Sequence, residues 1–144
     1  LACDFRVMTE KSRLIMAFSN MGLSGDTGGM YYLERLVGTG RTIQMMMLGE
    51  PMGGVEAHRL GVANVLAAPE ELEAETYALA AKLARRPLYA LARQKAAINA
   101  FFYGDIDKFI VQESEDMQAC SRTNDFNEAV TAFLEKRPPD FKGN

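Results

Sequence analysis

In the second half of the chain apolar residues recur every three or four positions. One set is Leu72, Leu79 and Leu83, followed by Leu88, Leu91, Ile98 and Phe102. Ile106, Phe109, Ile110 and Met117 form the next, and Phe126, Val130 and Phe133 the last. Each set makes an apolar stripe along one helix. Pro69 and Pro87 stand at first-turn positions, Gly104 closes a segment and Asp105 opens one, so helices are predicted over 70–86, 88–103 and 105–122. Asp125-Phe126-Asn127-Glu128 has the form of a capping box and predicts a last helix that Pro138-Pro139 ends. Lys95 and Glu113 interrupt the stripes, either as a snorkelling lysine and a rim glutamate or as a partly buried ion pair between neighbouring helices.

The first half changes its period every few residues. Strands are predicted over 1–9 and, after the polar turn at 10–12, over 13–18. Two strands this short form no independent sheet and carry no hairpin signal, so they need partners elsewhere. Short helices follow over 30–37, with Gly38 as C-cap, and over 41–48, between Thr39 and Gly49. Residues 55–60 give a further helical turn or two before Gly61, and 62–66 a final strand. Met45, Met46 and Met47 cannot all face one side of a helix and are expected to fill irregular space between helices. The pattern divides the chain into a mixed part, 1–67, and a helical part, 68–144.

Composition narrows the function classes. With 144 residues, 48% of them apolar, the chain is long enough to bury a core. A net charge of −3 gives none of the basic footprint that nucleic-acid binding needs. Cys3 and Cys120 have no Cys or His at ligand spacing, which argues against a metal site and suits a reduced, cytoplasmic setting. His58 is the single histidine, so any His-activated nucleophile would rest on it, and a surface helix position is expected instead. No charged-then-apolar leader or bilayer-length apolar run is visible, so a soluble protein with no membrane partner is expected.

The stretch richest in candidate chemistry runs from Phe18 to Gly38: an apolar segment, the glycine-rich turn Gly22-Leu23-Ser24-Gly25-Asp26-Thr27-Gly28-Gly29, then a helix. Asp26 before a helix is ordinarily an N-cap accepting a backbone hydrogen bond. A carboxylate fixed at such a turn can also serve as a base. Spacing alone leaves both readings open.

Phe18-Ser-x-x-Gly22-Leu-x-x-Asp26-x-Gly-Gly followed by Leu33-Glu-Arg-Leu-Val-Gly38 resembles the active-site segment of the crotonase superfamily, the enoyl-CoA hydratase and isomerase family. The stretch from Glu50-Pro51-Met52 to Val65 resembles the link from that family's core to its helical end. Ala132-Phe133-Leu134-Glu135-Lys136-Arg137-Pro138-Pro139-Asp140-Phe141-Lys142-Gly143 resembles its C-terminal signature, with Ala129 where the family usually has Gly. Leu1-Ala2-Cys3-Asp4 is similar to the end of an upstream segment of the family, which implies that about a hundred residues of a family-sized chain precede residue 1.

The resemblance implies an α/β fold: the last part of a crotonase-type ββα spiral core, followed by a helical C-terminal trimerisation region. It implies an acyl-CoA thioester substrate, CoA being part of the substrate and no separate cofactor being needed, and a homotrimer or dimer of trimers. Asp26 then faces the acyl group, and Met16, Phe18, Met21 and Gly22 shape the substrate pocket. Lys136 is the implied CoA contact from the C-terminal tail. The family's backbone oxyanion donors, worth roughly 3 to 4 kcal/mol each, are expected upstream of residue 1, so the segment alone is expected to be inactive. Phe18 stands where hydratases of the family carry a glutamate, and it has no proton to exchange. The expectation is therefore an enoyl-CoA double-bond isomerase with Asp26 as acid/base. The alternatives are an enoyl-CoA hydratase with its glutamate upstream, nucleophilic attack by Asp26 on an aromatic acyl-CoA, and a non-catalytic oligomerisation fragment.

Overall fold

The computed structural model describes residues 1–144. Its strands are short and their partners lie far apart in sequence. β1 (Val7–Thr9) pairs in parallel with β4 (Val65–Ala67), in the register Val7 to Val65, Met8 to Leu66 and Thr9 to Ala67. β2 (Arg13–Leu14) pairs antiparallel with β3 (Met52–Gly53), placing Leu14 opposite Met52. The opening strands thus find their partners within the chain, as their shortness requires, and both are shorter than the pattern predicts. Residues 1–6 are not strand. There the Arg6 side chain takes over the bonding, with Nε donating to the Val62 carbonyl at 2.5 Å and Nη1 to the Cys3 carbonyl.

A 3-10 turn over Ser19–Met21, α1 (Gly29–Val37) and α2 (Thr39–Leu48) lie between β2 and β3, and α3 (Gly54–Arg59) lies between β3 and β4. Gly38 ends α1 and begins α2, and Gly49 closes α2 in a left-handed conformation, φ 63°. A core of eight buried residues, Met16, Leu33, Met45, Met46, Met52, Ala57, Val62 and Ala63, ties these elements together. Half of these are methionines, whose unbranched side chains fill the uneven spaces between strands only two or three residues long and short helices. Met47, next to two buried methionines, is 72% exposed.

A second 3-10 turn at Pro69–Glu71 leads into α4 (Leu72–Ala84), α5 (Leu88–Phe102), α6 (Ile106–Cys120) and α7 (Asn124–Glu135). The predicted stripes are present but mostly uncovered: Leu88, Ile98, Phe102, Ile110 and Phe133 are exposed, and α4 and α5 bury no residue. Lys95 pairs with Asp4 of the N-terminal segment at 2.5 Å, both side chains being half exposed, rather than with a neighbouring helix. His58 is an exposed residue of α3, with Nδ1 3.1 Å from the Ala63 carbonyl. No helix is long and apolar enough to cross a membrane.

The expected capping box of the last helix is absent. Thr123 is the N-cap, its hydroxyl accepting from the Phe126 N–H at 3.1 Å. Asp125 and Glu128 hold the C-terminal tail instead. Asp125 accepts from the Lys142 and Gly143 N–H groups at 2.7 and 2.8 Å. Glu128 receives both Nη atoms of Arg137, at 2.5 and 3.0 Å, and the Asp140 N–H at 2.8 Å. The reversal that brings Arg137 back is a Schellman motif: Arg137 N–H donates to the Ala132 carbonyl and Lys136 N–H to that of Phe133, with Lys136 left-handed at φ 55°. The Arg137 fork and the Asp140 N–H hold the Glu128 carboxyl down at about 2, and Glu128 in turn raises Arg137 above its ordinary range.

Two outcomes follow from this architecture. A methyl group at Gly54 would lie 1.9 Å from the Thr9 carbonyl oxygen, whereas one at Gly53 meets nothing within 4 Å. In thermal and urea melts, Gly54→Ala is expected to destabilise by about 3 kcal/mol or more and Gly53→Ala to stay within about 1 kcal/mol. For the tail, the Glu128 contribution is complete above the ordinary carboxyl value of 4.5 and is lost as pH falls through about 2. The hydrogen-exchange protection factor of the Asp140 amide, corrected for intrinsic exchange at each pH, should fall over that window and lose this pH dependence in Glu128→Gln.

Candidate functional site

Asp26 lies in the turn between the first 3-10 turn and α1, and it does not cap the helix. The N-cap of α1 is Gly28, left-handed at φ 71° and ψ 17°, a conformation that a side chain would disfavour. Asp26 is two residues too early for its carboxylate to reach the helix N–H groups, and it closes the turn with its carbonyl, which accepts from the Gly29 N–H at 3.1 Å. Its carboxylate is exposed and receives the Thr27 hydroxyl at 3.2 Å. Thr27 itself has φ 57°, an uncommon conformation for a β-branched residue, and such outliers concentrate at functional turns.

A side chain from α6 reaches the start of α1. Glu113 is 5% exposed, and its Oε2 accepts from the Gly28 N–H at 2.7 Å. A carboxylate at this helix N-terminus meets both an orphan N–H and the positive end of the macrodipole. Its other oxygen, Oε1, is buried without a hydrogen-bond partner, as is the Ser24 hydroxyl. Oε1 lies behind Gly25: a Cβ built there would be 3.8 Å from it, 3.2 Å from Met46 Cε and 3.9 Å from Phe18 Cδ2. Glu113 is thus neither the rim glutamate nor the ion-pair partner that its interruption of a stripe suggests. The interruption was a usable signal, but its partner is a backbone amide 85 residues away, which side-chain patterns do not encode.

The same helix grips α1 a second time. Asp105, the N-cap residue of α6, makes no cap bond with its side chain and accepts instead from the Tyr31 hydroxyl at 2.5 Å. Burial, reinforced by the Asp105 hydrogen bond, pushes the Tyr31 hydroxyl up to about 12, and the same bond lowers the Asp105 carboxyl. The Arg35 guanidinium stacks 3.4 Å from the Tyr31 ring centre, and its Nε donates to the Phe102 carbonyl at 3.0 Å. Tyr31, Tyr103 and Phe109 pack as tilted aromatic pairs around this contact.

Among the other sequence-predicted site residues, Phe18 and Met21 are half-buried beside the turn, while Met16 lies in the core with its Cε 3.0 Å from a Cβ built on Gly29. Gly22 ends the 3-10 turn and abuts the backbone of Asp125 and Phe126 at the start of α7. Lys136 is exposed at the far end of α7, in the left-handed position of its Schellman motif. The structure therefore gathers Phe18, Met21, Gly22 and Asp26 on one loop. A separate groove of about 840 Å³ runs between residues 1–6, α1, α4 and α5, lined by Leu36, Leu91, Lys95, Ile98 and Asn99 among others. Its lining includes Tyr32 and Ile106, which also flank Gly28, but none of the predicted site residues. No three His, Cys, Asp or Glu side chains come together as a metal site.

Comparison with known proteins gives the family. Residues 1–144 match the family described as Enoyl-CoA hydratase/isomerase. The chain is 35% identical over 143 residues to a probable enoyl-CoA hydratase of Rhodobacter capsulatus, covering 99% of this chain and 56% of that protein. It is 33% identical over 143 residues to a trans-2-decenoyl-[acyl-carrier-protein] isomerase of Streptococcus mutans, covering 99% and 54%. The crystal structure of an enoyl-CoA hydratase from Mycobacterium avium subsp. paratuberculosis superposes with a TM-score of 0.92 at 32% identity, covering 98% of this chain and 57% of the other. The chain thus spans about half the length of the curated relatives it matches. A sequence match along its whole length and a shared crotonase fold establish that the chain belongs to the enoyl-CoA hydratase/isomerase family of the crotonase superfamily.

Proposed function

We propose that the protein containing this chain is an acyl-CoA enzyme that moves a carbon–carbon double bond, with Asp26 as the acid/base group. The observation that carries this reading is the state of the Asp26 carboxylate: exposed, not engaged as a helix cap, and held on a turn whose Gly28 amide is bound by another residue, Glu113. No side chain caps α1, so capping does not account for an Asp at this position.

In the proposed reaction the Asp26 carboxylate takes a proton from C2 of a 3-enoyl thioester. The electron pair delocalises through the carbonyl as a dienolate, and the same carboxyl returns the proton to C4, leaving the 2-enoyl isomer. One base suffices because no water is added. Phe18 and Met21, half-buried residues of the same loop, are the proposed apolar wall that keeps water from the dienolate. Phe18 also supports isomerisation over hydration, since it offers no second acid/base group at that position. Lys136 remains the proposed CoA contact, and CoA itself is part of the substrate.

Asp26→Asn in the complete protein tests the reading. Because Asp26 carries no cap bond, both Asn and Ala should leave the melting temperature within a degree or two of wild type. Both should lower turnover of a 3-enoyl-CoA by about a hundredfold to ten-thousandfold while leaving acyl-CoA binding intact. Wild-type turnover by the Asn variant would remove the assignment. The uncovered apolar side chains of α5 and α7, Phe101, Phe102, Phe133 and Leu134 among them, support a homotrimer or dimer of trimers. Sedimentation of the complete protein at micromolar concentration should give one of these, and a monomer would contradict the assembly.

A further inference from the structure

We infer that Glu113 is a positioning residue for Asp26: through the Gly28 amide, it sets the orientation of the turn that presents the base. The inference rests on the reading of Asp26 as acid/base. Four observations support it. Glu113 is 5% exposed on a helix otherwise striped with apolar residues, a costly place for a carboxylate without a dedicated partner. Its Oε2 accepts from the Gly28 N–H at 2.7 Å, and it is the only side chain bonded to the turn from another element. The bond falls two residues after Asp26, inside the turn that the Asp26 carbonyl closes onto Gly29. Finally, Oε1 has no partner and reaches behind Gly25, on the other side of Asp26, where Met46 and Phe18 complete the packing.

The geometry separates inside from outside. The Gly28 N–H points inward to α6, while the Asp26 carboxylate is exposed. Thr27, between them, is held at φ 57°, a conformation that persists only where its surroundings impose it. Without the Glu113 bond, the Gly28 amide loses its inward partner, and the turn gains freedom to rotate Asp26 relative to a bound acyl group. Reach, rather than charge, is the property required: the side chain must extend from α6 to the amide and end in an acceptor. Glutamine meets that requirement and aspartate, one methylene shorter, does not.

The test uses the complete protein and four changes: Glu113→Gln, Glu113→Asp, Glu113→Ala, and Glu113→Asp combined with Asp26→Asn. For the folded fraction of each, kcat and KM for a 3-enoyl-CoA are measured. Expected is a kcat near wild type for Gln, and a loss of about a hundredfold for Asp and Ala with little change in KM, the scale of a base displaced by about 1 Å. In the Asp26→Asn background, Glu113→Asp should add no further loss. The reverse order, Asp active and Gln inactive, would overturn positioning in favour of a charge effect. Unchanged kcat in folded Asp and Ala variants would confine Glu113 to stability, and a multiplicative loss in the double variant would mean that it acts on some other group. If Ala does not fold, the Gln and Asp pair decides. Wild-type turnover by Asp26→Asn alone identifies failure of the acid/base reading itself, whatever the Glu113 variants do.

Discussion

A single hydrogen bond, from the Gly28 amide to the buried carboxylate of Glu113, joins the two halves of this chain at the point where its chemistry is concentrated. It spans 85 residues and connects a glycine-rich turn with the middle of a helix whose other surfaces are largely open to solvent. Burying a carboxylate costs several kcal/mol unless it is well bonded, and here the offset comes from a backbone donor at a helix N-terminus rather than from a cation. Asp105, eight residues earlier and about 12 Å away along the same helix, grips Tyr31 in the same α1. Together the two carboxylates tie the first turn of α1 to α6 at two points.

The remaining architecture serves this junction. Strands of two or three residues cannot stabilise themselves, so β1 with β4 and β2 with β3 act as clasps between distant parts of the chain rather than as a continuous sheet. The methionine-rich core fills the volume between these clasps and α1 to α3. Met16 and Met46 extend that core to the underside of Gly29 and Gly25, where an added side-chain carbon would meet them at 3.0 and 3.2 Å. The turn thus lies on a packed floor and is held from one side by α6, while its outer face remains open.

Much of this was legible in the sequence, and the failures share a physical cause. Helices were readable because their apolar spacing and their Gly and Pro boundaries are local properties; α1, α2 and α4 to α7 fall where these place them. The strands were harder because pairing between residues 7–14 and 52–67 depends on partners that no local window contains. Asp26 and Asp125 read as N-terminal caps and Asp105 as a helix start, and none of them caps its helix with its side chain. In each case the carboxylate is exposed or engaged by a tertiary partner, and Gly28 and Thr123 mark the true starts of α1 and α7. Glu113 was visible as an anomaly in an apolar stripe, yet its purpose lay in a backbone group that carries no sequence signature. The groove along α5 was invisible for a related reason: its walls come from the N-terminal segment and from four separate helices.

The run Met45-Met46-Met47 places three chemically identical thioethers in two different environments. Met45 and Met46 are 2% and 9% exposed, whereas Met47 is 72% exposed. Oxidation to the sulfoxide follows access, so a mild oxidant meets Met47 first and spares its neighbours while the core stays closed. A sulfoxide at Met46 would place a polar group beneath Gly25, in the packing that supports the turn. Redox damage would then reach the Asp26 turn from below, through the packing that supports it, and only in molecules whose core had already opened.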